Sequence, residues 1–160
     1  MKGLLSFLVL ISLSTAVSAQ SDFLSKSETK DINDYMGDIC MDTYCGGDIN
    51  WYAQGMNCSG DQCTISYEAY TWKDSADSFD ADLLKALDGK TKDYRHLNSS
   101  LKFENFQLVR QGRAFVNISC TMYGLNNETL AEYDNDKQEY LYMTILESCI
   151  DPVESLILAY

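Results

Sequence analysis

Residues 49–72 read INWYAQGMNCSGDQCTISYEAYTW, and this stretch decides the fold class. Two runs rich in aromatic and β-branched residues flank Ser59-Gly60-Asp61-Gln62, a tetrad of turn formers. A four-residue hairpin loop there sets Cys58 against Cys63 across two antiparallel strands, where a bridge is sterically accessible. With that pair fixing an unbroken register, Trp51 is expected opposite Tyr70, Ile49 opposite Trp72, Met56 opposite Ile65 and Tyr52 opposite Ala69. Trp51, Tyr70 and Trp72 then form an aromatic cluster, and both faces of the hairpin carry apolar side chains.

A second hairpin is expected from Leu101 to Arg110 and from Arg113 to Tyr123, turning at Gln111-Gly112. Ala114, Val116, Ile118, Cys120 and Met122 alternate with polar Asn117, Ser119 and Thr121, the mark of a half-buried strand. Helical spacing governs the rest. Ile32, Tyr35, Met36, Ile39 and Cys40 share one side of a helix over residues 25–44, with Ser25 and Glu28 spaced as a capping box. Ala81 to Leu87 reads as a short helix. Residues 136–150 form an amphipathic helix through Leu141, Ile145, Leu146 and Cys149, which Pro152 is expected to interrupt, leaving residues 153–160 as an apolar tail. The expected fold is α+β: a four-stranded antiparallel sheet from two hairpins with helices packed on one face, in the order α-ββ-α-ββ-α, disulfide-bonded.

Residues 1–19, MKGLLSFLVLISLSTAVSA, place Lys2 before an apolar stretch and end on small residues. This is the pattern of a cleaved export signal, with cleavage expected before Gln20 and residues 20–160 as a single domain. The apolar core is too short for a transmembrane anchor. Export favours oxidised cysteines, and the chain has six. Besides Cys58 with Cys63, the expected pairs are Cys40 with Cys45, provided the first helix unwinds near Thr43, and Cys120 with Cys149. Export and a single histidine, His96, argue against a zinc site built from the same cysteines. The bacterial periplasm is the preferred destination, secretion the alternative. Asn98 and Asn127, in two of the four Asn-x-Ser/Thr triplets, are glycan acceptors if the source is eukaryotic.

The chemistry excluded is broad. There is no nucleophile elbow, phosphate-binding glycine loop, zinc-protease helix or dinucleotide fingerprint, and no cofactor is implied. A catalytic triad would rest on His96 in a charged loop. The acid-rich runs at Asp74 to Asp82 and at Asp134, Asn135, Asp136 and Glu139 lack the glycine-centred calcium loop, so no metal is expected.

Charge speaks to partners. The chain carries 24 acids and 12 bases, a formal net charge of −12, which disfavours nucleic acid and attracts cationic surfaces. The bases are concentrated: residues 83–123 hold seven of them against three acids. Asp31, Asp34 and Asp38 line one side of the first helix. The expectation is therefore an exported, non-catalytic binding module, an inhibitor or immunity-type protein for a cationic partner protein. Its candidate contact residues are Trp51, Tyr70, Trp72, Asp31, Asp34 and Asp38. The alternatives are a carboxylate-dependent envelope or secreted hydrolase and a structural component of an envelope assembly.

Overall fold

Ser25 opens helix α1 (Lys26–Tyr35) as a complete capping box: its hydroxyl accepts the Glu28 N–H at 3.3 Å, and the Glu28 carboxylate accepts the Ser25 N–H at 2.8 Å. The computed structural model describes residues 22–36, 49–71, 76–109 and 112–158. Residues 1–19, Cys40, Cys45, Asp38 and Trp72 lie outside them.

The remaining elements are β1 (Ile49–Ser59), β2 (Gln62–Thr71), α2 (Ala81–Leu87), β3 (Thr91–Tyr94), β4 (Ser99–Leu108), β5 (Ala114–Met122), α3 (Asn127–Ala131), α4 (Lys137–Ile145) and α5 (Asp151–Ile157). The fold is α+β with an antiparallel sheet, but the sheet has five strands rather than four, in the order β1-β2-β5-β4-β3. The extra strand is β3. Three of its four residues are exposed and the fourth only half-buried, so it carries none of the apolar alternation that marks a strand in sequence. The element order is likewise not α-ββ-α-ββ-α but α-ββ-α-βββ followed by three helices.

Cys58 faces Cys63 across the first hairpin and is bonded to it, with the Cα atoms 4.1 Å apart. The register expected from that pair holds only as far as Gly55. Beyond it, a bulge at Gln54 inserts one residue, so Trp51 faces Ala69, Tyr52 faces Glu68, Asn50 faces Tyr70 and Ile49 faces Thr71. One extra residue exchanges the two faces. Ile49 and Trp51 therefore share the buried side with Met56, and Trp51 is only 2% exposed. The first hairpin thus buries one side, while Tyr52, 56% exposed, and half-buried Tyr70 lie on the other.

The inner face of the sheet, with Ile65, Tyr67, Leu101, Phe103, Val116 and Ile118, forms one core with the helical layer above it. That layer does not stop at Pro152. Residues 146–150 form a π-helical turn, and α5 follows with Pro152 near its start. In an uninterrupted α-helix the Ser148 carbonyl would take its hydrogen from residue 152, and a proline has none. The Ser99 hydroxyl donates to that carbonyl instead, at 2.9 Å, and the buried Tyr67 hydroxyl donates to the Cys149 carbonyl at 2.7 Å. The Cys120–Cys149 disulfide bonds the same turn to β5. Two side-chain donors and a covalent bond thus hold the π turn on the sheet.

Candidate functional site

The reversal between α3 and α4 builds a polar groove against α1. Asn126 caps α3, its side-chain oxygen accepting the Thr129 N–H at 2.9 Å. Asp134 and Asn135 then take consecutive left-handed conformations, φ 51° and 62°, which Asn and Asp tolerate better than most residues. Asp136 starts α4 by accepting the Gln138 and Glu139 N–H groups at 2.9 and 3.2 Å. This sharp return brings residues 134–138 alongside α1, leaving a groove of about 500 Å3 lined by Glu28, Asp31, Ile32, Asp134, Asn135, Asp136, Lys137 and Gln138.

Among the described residues, four carboxylates and one ammonium line the groove, and the ammonium is engaged. Lys137 Nζ lies 2.8 Å from Glu28 Oε1 and donates to the Phe23 carbonyl at 3.1 Å. The Lys137 hydrogen bond and those from Ser25 hold the Glu28 carboxyl down to a pKa of about 2. Asp136 is occupied as a cap. Asp31 and Asp134 form no ion pair among the described residues. Asp31 and Asp134 thus have neither an ion pair nor a capping role among the described residues, on a rim fixed by helix caps, an arrangement suited to receiving a cation. Among the described residues, no three His, Cys, Asp or Glu side chains are grouped so as to hold a metal ion.

The residues singled out from sequence are dispersed. Asp31 lines the groove. Asp34 is exposed and paired with Lys30 one turn away, which neutralises it locally. Trp51 is in the core, its ring centroid 5.7 Å from that of Tyr67. Tyr70 is half-buried on the opposite face of the sheet, with the Arg113 guanidinium 5.1 Å from its ring centroid. Trp51 and Tyr70 thus do not share an exposed face. Asp38 and Trp72 fall outside the described residues. Asn98 and Asn127 are both exposed, Asn98 in a left-handed conformation at φ 48°.

Glu28, Asp134, Asp136 and Lys137 belong to the groove without having been singled out as a site. The Asp134-Asn135-Asp136 run was visible only as an acid-rich stretch. Its sequence signal is a helix cap preceded by two residues that tolerate the left-handed conformation. No helix among the described residues is long and apolar enough to cross a membrane. No protein-family model, curated protein or solved structure matches the chain.

Proposed function

We propose that the mature chain is an exported, non-catalytic binding module. In this reading it is a periplasmic inhibitor or immunity-type protein that occludes a cationic partner protein by taking one of its lysine or arginine side chains into the groove between α1 and α4. The observation that carries this reading is the pair Asp31 and Asp134: both line the groove, and the only base among the described residues that line it is already bonded to Glu28 and Phe23. A guanidinium or ammonium entering there meets two carboxylates that form no ion pair among the described residues. Charge-assisted hydrogen bonds to ionised groups are the stronger kind.

The formal net charge of −12 supports the same reading at longer range, since it draws a basic surface in before contact. Two disulfides among the described residues suit an oxidising compartment.

The test is affinity capture of exported proteins from the source organism by the oxidised protein at low and moderate salt. Wild type is run beside the double variant Asp31→Lys, Asp134→Lys. A stoichiometric basic partner, released by salt and absent from the variant, is expected. A partner held equally by both baits would remove the groove from the reading.

A further inference from the structure

The opposite face of the sheet carries a second concave site. This face is a ladder of small polar side chains. The Thr64 and Thr121 hydroxyls are 2.8 Å apart, those of Ser66 and Ser119 3.5 Å apart, and Ser100 Oγ donates to Asp93 at 2.8 Å. At the corner where β3, β4 and β5 end, the backbone N–H of Tyr123 donates to the Asn98 carbonyl at 2.8 Å. That bond brings Tyr123, 46% exposed, beside Asn98, and the two line a depression of about 450 Å3 with Arg95 and Asp93. Such a volume lies within the range of small-ligand sites.

We infer that this corner binds a carboxylate-bearing sugar. Arg95 offers a planar fork of donors that matches a carboxylate, and it forms no ion pair among the described residues. Asp93 is held in place by the Ser100 hydroxyl and keeps lone pairs to accept from sugar hydroxyls. The Asn98 carboxamide supplies both a donor and acceptors. The exposed Tyr123 ring gives an apolar plane for the C–H face of a sugar ring.

The mixture of charges sets the class of ligand. A bare inorganic anion meets Arg95 but is repelled by Asp93, and a neutral sugar leaves Arg95 unused. A ligand with both a carboxylate and hydroxyls satisfies both. Beyond the corner, Ser100, Thr121 and Thr64 continue as a row of hydroxyls suited to further sugar units.

This site is independent of the acidic groove. It is tested by two-dimensional amide NMR of the full mature protein titrated with D-glucuronate, with D-glucose, inorganic phosphate and glycine as controls. Saturable shifts at Asn98, Ser99 and Tyr123 are expected with glucuronate. Affinity for glucose should be weaker by about tenfold or more. Arg95→Met should abolish the glucuronate response with spectral dispersion preserved, and Tyr123→Ala, a second check, should weaken it. Equal affinity for phosphate would mean a simple anion site, equal affinity for glycine a zwitterion site, and no shifts no site. Each of these results overturns the inference.

Discussion

Asn33 and Met56 are joined as if a further strand lay along β1. The Asn33 side-chain oxygen accepts the Met56 N–H at 2.6 Å, and its amide nitrogen donates to the Met56 carbonyl at 3.0 Å. One carboxamide on α1 thereby satisfies both backbone groups of a residue at the sheet edge. An unpaired edge is a template for unwanted strand addition, so this contact also guards β1. Asn33→Ala should lower unfolding stability by about 1–3 kcal/mol, the usual cost of leaving part-buried polar groups without partners. Denaturant unfolding measures the loss, and faster hydrogen exchange at Met56 should accompany it.

The π turn yields a second expectation. Tyr67 is fully buried, which holds its phenol well above its ordinary pKa and keeps it a hydrogen-bond donor. Tyr67→Phe deletes the hydroxyl donating to Cys149 and leaves that carbonyl buried. The cost should again be about 1–3 kcal/mol. A change within experimental error in chemical denaturation would show that the hydroxyl does not anchor the turn.

The two described disulfides should differ in weight. Cys120–Cys149 spans 29 residues in sequence and Cys58–Cys63 only 5. By loop-closure entropy the long bridge contributes about 3.6 kcal/mol and the short one about 2 kcal/mol. Unfolding of the paired-alanine variants should therefore show a larger midpoint shift for Cys120→Ala, Cys149→Ala. The reverse order would point to strain or denatured-state structure instead of closure entropy.

Glu28 makes the stability pH-dependent in a defined window. Its carboxyl falls from an ordinary 4.5 to about 2 in the folded protein, chiefly through the Lys137 hydrogen bond. A depressed carboxyl contributes stability that is present above its unfolded pKa and disappears as pH falls through the folded one. The wild-type advantage over Glu28→Gln should be constant above about pH 5 and shrink between 4.5 and 2. Because the Glu28 side chain is 41% exposed, solvent screening keeps that advantage small, under about 1 kcal/mol. Thermal melts of both proteins across this range would measure it.

What the sequence reveals follows from which forces leave a pattern. The β5 strand was legible because each second residue is buried, and the Cys58–Cys63 pair because a turn tetrad separates the two cysteines. The β3 strand was hidden because backbone hydrogen bonds to β4 hold it, and such bonds require no particular side chains. The bulge at Gln54 had one available sign, Gly55 inside an otherwise strand-like run. The continuation of helix past Pro152 depends on Ser99, which is 49 residues away from Ser148 in sequence. The groove was half legible. Asp31 lay on a visible acidic stripe, whereas its approach to Asp134 comes from tertiary packing of α1 beside the start of α4.

The most direct test of the groove is amide NMR of the protein spanning residues 20–160 titrated with tetralysine, comparing wild type with Asp31→Asn, Asp134→Asn. Saturable, salt-sensitive shifts confined to residues around Asp31, Asp134 and Asn135, and weakened by about tenfold in the variant, are the expected result. Shifts spread evenly over every acidic surface segment, or unchanged in the variant, would show that the groove has no special affinity for cations.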